Sequence, residues 1–149
     1  MKPRLIIGKA EPRLYSMMLE FNKKLKEFDI DQGLQELIRV RASQLNGCGY
    51  CINIHTKDAL KNGETAQRLF GLGAWWETDF ITEQEMAVLK LTEEITLISV
   101  HGVSEAVYTK ALEFLGEKKL AQVIFIIINI NSWNRIGVST EMHAKKDQE

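Results

Sequence analysis

Proline is almost missing from this 149-residue chain. Pro3 and Pro12 are its two prolines, so nothing after residue 12 breaks a helix by removing a backbone donor. Cysteine is as scarce, with two residues, which excludes a small scaffold stapled by several disulfides. Neither sign of charge dominates: 19 Lys and Arg stand against 20 Asp and Glu. A balanced chain offers no electrostatic case for binding nucleic acid or an anionic membrane. No run approaches the ~20 apolar residues that span a bilayer. The basic start, Met1-Lys2-Pro3-Arg4, leads into Leu5-Ile6-Ile7, an apolar run too short for a secretory signal. The cytoplasm is therefore the expected location. No glycine fingerprint for a dinucleotide occurs, so no bound nicotinamide or flavin, and no other cofactor, is expected. Repeats and low-complexity stretches are absent too.

What is present is ordinary globular composition, 45% hydrophobic and 26% charged, at a length that suits one domain over 1–149. The patterning reads as all-α, with about six to seven helices. Leu14, Met17, Met18, Phe21, Leu25 and Phe28 recur at helical spacing and predict an amphipathic helix from Glu11 to Phe28. A second helix runs from Gln32 to Leu45. A third follows Gly47 and ends by Gly63, and a short one covers Glu64 to Leu72. Residues 74–80 read as a loop. Thr82 with Glu85 forms a capping box opening a helix to about Val100. Ser104 is expected to cap a helix ending at Gly116, and Glu117 to about Asn134 forms the last. Its centre, Val123 to Ile130, is β-branched enough to be a strand, but no partner strand is apparent and polar helix formers flank it. A helix apolar all round must be buried all round, which predicts packing against a second subunit. The core is expected over 11–136, with a frayed tail from His143 to the end.

Both cysteines sit in one short run, Cys48-Gly49-Tyr50-Cys51-Ile52-Asn53-Ile54-His55. On a helix at ~100° per residue, Cys48, Cys51 and His55 fall within roughly 60° of one another. Asn46-Gly47 is a turn-prone break, so Cys48 is placed in or just before the first helical turn. Free backbone N–H groups there favour an anion and lower a thiol's pKa from its usual ~8.5. His55 follows Cys51 by one turn, within reach for proton exchange. Glu36, on the preceding helix, is the candidate partner for that imidazole. The plain alternative is a solvated glutamate beside Arg39 and Arg41.

Glu36, eleven intervening residues, then Cys48-x-x-Cys51-x-x-x-His55, resembles the signature of alkylhydroperoxidase D-like proteins of the carboxymuconolactone decarboxylase family. Arg41 to Gly47, His55-Thr56-Lys57-Asp58-Ala59 and Asn131-Ser132-Trp133-Asn134-Arg135 are similar to that family as well, so the likeness spans roughly residues 14 to 136. The resemblance implies a thiol peroxidase in antioxidant defence. Cys51 is oxidised by a hydroperoxide, Cys48 resolves it to a disulfide, and Glu36 with His55 relays protons. It also implies an external dithiol or redox protein as reductant, and assembly as trimers or hexamers. The family's ring-decarboxylating members lack the cysteine pair, which argues against decarboxylation. One position departs from the pattern. Well-known members carry histidine before the second cysteine, where this chain has Tyr50. A phenol, with pKa ~10, shuttles protons poorly near neutrality. On an ideal helix Tyr50 would also point away from the thiols, so thiol activation is expected to be weaker or differently routed.

Two other functions compete. Cys48, Cys51 and His55 could ligate a metal, although structural zinc usually takes four ligands and no second Cys/His pair exists. A helical scaffold without redox activity is the other. Trp75, Trp76 and Trp133 are expected to pack in the core or an interface rather than wall a pocket. Met17, Met18 and Met86 read as core fillers, His101 and His143 as inert, and Asn131, Asn134 and Arg135 as residues that cap or pair at an interface rather than touch substrate.

Overall fold

The computed structural model describes residues 2–146, and every described element is helical or a turn. The order is α1 (Ile7–Ala10), α2 (Pro12–Leu25), α3 (Gln32–Leu45), α4 (Gly49–Lys61), α5 (Ala66–Gly71), a 3-10 helix (Leu72–Glu77), α6 (Glu83–Thr96), α7 (Ile98–His101) and α8 (Glu105–Ser139). The all-α expectation holds. The one-turn helices α1 and α7 carry too few residues to show a periodicity.

α3 is the central helix. Asp31 caps it, its Oδ2 accepting from Leu34 N–H at 3.0 Å. Every residue from Leu34 to Ser43 is then buried, including Gln35, Glu36, Arg39 and Arg41. Leu34 and Ile38 meet Val88 and Leu91 of α6 and Val123, Ile126 and Ile127 of α8 in the main core. Leu37 and Val40, on another side of α3, meet Ala59, Leu72, Trp75 and Leu89 in a second cluster. Burying a helix on several sides requires every polar group on it to find a partner. This is why Glu36 is not the solvated side chain it could have been.

Several boundaries differ from the periodicity, each for a local reason. α2 ends at Leu25 rather than Phe28, because Lys26, Glu27 and Phe28 donate to carbonyls three residues back and tighten the last turn. Residues 74–77, expected in a loop, belong to the 3-10 helix, which bends at Ala74. The short helix after Gly63 begins at Ala66, behind the cap Thr65. Thr82 and Glu85 form the expected capping box, but α6 stops at Thr96 and Leu97 leaves helical geometry before α7. Ser104 stands at the N-cap of α8 without capping it; its N–H and Oγ donate to the Glu94 carboxylate instead. Gly116, at φ 68°, interrupts α8 where two helices were expected to meet. The helix then runs past Asn134 to Ser139.

The centre of α8 is helix, with Val123, Ile126, Ile127 and Ile130 buried. Phe125 and Ile128 on its other side are 50% and 44% exposed in the single chain. Leu14 and Met17 of α2 are 62% and 67% exposed, so Met17 is not the core filler its spacing suggested. Helical spacing marks an apolar stripe without saying what covers it. Near the two ends of the described residues, Arg4 N–H donates to Thr140 O at 2.8 Å, and Arg4 pairs with Glu141. Of the expected frayed tail, residues 147–149 lie outside the described residues.

Candidate redox active site

The site begins where α3 ends. Gly47 adopts φ 65°, its N–H donates to Gln44 O, and Cys48 N–H donates to Ser43 O. Those two bonds close a Schellman motif, in which the residue after the turn is held against the spent helix. That residue is Cys48. It is also the N-cap of α4, with its Sγ accepting from Cys51 N–H at 3.3 Å. One residue therefore ends one helix and starts the next, which leaves its side chain little freedom. Cys48 and Cys51 are joined by a disulfide, with Cα atoms 5.3 Å apart, and both are buried, 2% and 5% exposed.

Polar side chains of α8 lock this turn from the other side. Asn46 Nδ2 donates to Asn131 Oδ1 at 3.0 Å and to Asn134 Oδ1 at 2.9 Å. Asn134 Nδ2 donates to Ser43 Oγ, and Arg135 Nη1 donates to Asn131 Oδ1. Asn131, Asn134 and Arg135 therefore pair with side chains of the same chain around the α3–α4 turn.

Glu36 and His55, from α3 and α4, come together. His55 Nδ1 lies 2.8 Å from Glu36 Oε2, and Arg39 Nη1 donates to Glu36 Oε1 at 2.6 Å. Burial by itself would raise the Glu36 carboxyl. The hydrogen bond from His55 and the charges of Arg39 and His55 outweigh it, and hold the group below its ordinary 4.5. Glu36 is therefore ionised near neutrality and can only accept. Nδ1 of His55 must carry the proton, leaving Nε2 for exchange with a reacting group. The alternative reading of Glu36 placed Arg39 beside it on a charged helix face. Arg39 is buried instead, and its Nη2 donates to Gln35 Oε1 at 2.9 Å. Its i, i+3 spacing from Glu36 was the available signal.

A cavity of about 230 Å³ joins these groups, lined among others by Glu36, Arg39, Tyr50, Cys51, His55 and Trp133. Cys51 and the Glu36–His55 pair thus share one space. Cys48 borders a different hollow, of about 200 Å³, with Gly47, Gly49 and Gly137. One aromatic expectation needs correction. Tyr50 lines the cavity rather than pointing away, because it is partly buried against the cluster of Ala42, Cys48, Cys51 and Ile130. Trp133 packs against the same cluster, as expected, and also walls the cavity, standing edge-on to Tyr15 with ring centres 5.5 Å apart. Trp75 is buried as expected, with its Nε1 donating to Glu93 Oε1, while Trp76 is half exposed.

A sequence profile described as the carboxymuconolactone decarboxylase family matches residues 12–94. The chain belongs to this family. Its alkylhydroperoxidase D-like branch is supported by the fold. A protein of unknown function from Agrobacterium tumefaciens, named as a candidate antioxidant-defence protein AhpD, superposes with a TM-score of 0.94. The two are 26% identical over 97% of this chain and 100% of that one. A peroxidase-related protein from Ralstonia eutropha with an alkylhydroperoxidase AhpD core shares the fold at a TM-score of 0.81 and 19% identity, over 97% of this chain and 77% of that one. The uncharacterised protein YdfG of Bacillus subtilis is 40% identical over 139 residues, 93% of this chain and 95% of that one.

In the disulfide form the sulfurs of Cys48 and Cys51 are bonded to each other and do not act as a metal-ligand pair with His55. Glu36, His55 and Asp58 do place one ligand atom each within 4.8 Å of one another. Both Glu36 oxygens already serve Arg39 and His55, so an ion there would meet a guanidinium. No described helix is long and apolar enough to cross a membrane.

Proposed function

We propose that this family member is a thiol peroxidase in which Cys51 reacts with a hydroperoxide and Cys48 resolves the product. The observation that carries the reading is the shared cavity: Cys51 opens onto the space that holds the ionised Glu36 and His55. The Cys51 thiolate attacks one oxygen of ROOH and the O–O bond breaks. Cys51 becomes a sulfenic acid, and the alkoxide leaves as ROH with a proton from His55 Nε2. Cys48, whose sulfur is held at the helix N-terminus by the Cys51 N–H, then attacks Cys51 Sγ as a thiolate. The S–O bond breaks, the leaving hydroxide takes up the proton given up by Cys48 and departs as water, and the disulfide forms. An external dithiol or redox protein restores both thiols and is itself oxidised to a disulfide. A pair used for such exchange suits a reducing, cytoplasmic setting.

Intact-mass and thiol counting before and after stoichiometric tert-butyl hydroperoxide test this reading. Wild type should lose both thiols to an internal disulfide, while Cys48→Ser should hold a sulfenic acid on Cys51. Thiols that persist at ordinary reactivity would sink it. Assembly into a homo-oligomer belongs to the same proposal, supported by the exposed Phe125, Ile128, Leu14 and Met17. Light scattering would read a single-chain mass if that part is wrong.

A further inference from the structure

Gly137 lies inside α8, near its C-terminal end, and its backbone does not need a glycine. Its φ is not among the positive values found at Gly47, Gly63, Gly102 and Gly116. Within a helix, glycine is the least favourable residue after proline, so some other demand must favour it. That demand is visible at the disulfide. A Cβ built on Gly137 would stand 3.0 Å from Cys48 Sγ and 3.6 Å from Cys51 Sγ. The first distance is tighter than ordinary contact by a few tenths of an ångström; the second is ordinary contact. The missing methyl is thus a space beside the S–S bond, on the Cys48 side, and Gly137 lines the hollow that Cys48 borders.

Cys48 is tethered, and the open space it borders is the hollow that Gly137 also lines. The cysteine is buried, its backbone N–H is tied to Ser43 O at 3.0 Å, and its Sγ accepts from Cys51 N–H. Yet the redox cycle requires movement. Two sulfurs bonded at ~2.05 Å must retreat to non-bonded contact on reduction, then approach again along the line of attack. We infer that Gly137 is a positioning residue for the cysteine pair, its absent side chain being the space Cys48 Sγ occupies when the disulfide opens and from which it closes again. This rests on the redox reading of Cys48 and Cys51, although not on the identity of the oxidant. In closure by a peroxide, Cys51 is already a sulfenic acid, the Cys48 thiolate displaces its oxygen, and that oxygen takes up the proton Cys48 gave up and leaves as water. In closure by diamide, the azo group takes up two electrons and two protons and becomes the hydrazine.

The test is Gly137→Ala alone and combined with Cys48→Ala. After prereduction and one equivalent of tert-butyl hydroperoxide, Cys51 should oxidise in Gly137→Ala as in wild type. The sulfenic acid should then close to disulfide about tenfold to a hundredfold more slowly, the cost of a misplaced reacting atom. Closure by diamide should be slowed in parallel. In the Cys48→Ala background the obstructing sulfur is gone, so adding Gly137→Ala should raise the melting temperature or leave it unchanged. In the oxidised wild-type background it should lower it. A Gly137→Ala protein that fails to fold, while the double variant folds, upholds the inference through the same contact. Closure at the wild-type rate, or equal destabilisation with and without the Cys48 sulfur, overturns it. Wild type that closes with diamide but ignores the peroxide would refute the peroxidase reading and leave Gly137 to be judged on diamide alone.

Discussion

His55 and Glu36 stand 19 residues apart on consecutive helices, and their side chains meet at 2.8 Å inside the protein. The contact joins an imidazole to a carboxylate kept ionised by the His55 hydrogen bond and the Arg39 charge, beside the cavity onto which Cys51 opens. In the proposed mechanism this contact is the proton route, and it does not depend on a histidine at position 50.

Glu36→Gln keeps the shape and removes the charge. Peroxide oxidation of Cys51, followed by stopped-flow thiol titration, should slow by about a hundredfold, the lower range for loss of general acid–base assistance. Stability should fall as well, by about 3 kcal/mol in urea unfolding, because the buried Arg39 loses its counter-charge. An unchanged oxidation rate would remove Glu36 from the relay.

The same pair sets an acid limit on stability. The folded pKa of Glu36 lies below its ordinary 4.5, so below that value the unfolded chain binds the proton more readily. Stability from this group is therefore present above pH 4.5 and is lost as pH falls through the lower folded value. Urea midpoints measured from pH 7 downward should fall more steeply for wild type than for Glu36→Gln. Parallel curves would show that Glu36 is not the group responsible.

Tyr50→His restores a histidine beside Cys51, on a side chain that already lines the cavity. Cys51 should then react with tert-butyl hydroperoxide about tenfold faster or more near pH 7, with little change in the rate of reduction by dithiothreitol. A variant no faster than wild type would mean that the position is not part of the proton route here.

Gly47→Ala tests the joint between the helices. At φ 65° a Cβ is strained, and no atom lies close enough to clash, so the cost should be backbone strain of about 1 kcal/mol or somewhat more. Denaturant unfolding reads the first effect. The disulfide should also form more slowly, since this turn sets where Cys48 begins. A stability equal to wild type would mean the turn can relax without its glycine.

Local order was largely written in the chain. Spacing, caps and breakers marked the long helices, the Thr82–Glu85 capping box and the break at Gly116, since these depend on neighbours a few residues apart. The run Cys48 to His55 was legible for the same reason: one helix places those residues together. What needed the tertiary structure was every relationship between helices. Whether Glu36 was solvated or buried depended on α3 being enclosed on several sides, and Arg39 changed meaning with it. The exposure of Met17, the cavity walls of Tyr50 and Trp133, and the closeness of Gly137 to Cys48 likewise follow from how α2, α4 and α8 pack. A helical period specifies which residues share a face; only packing decides what that face meets.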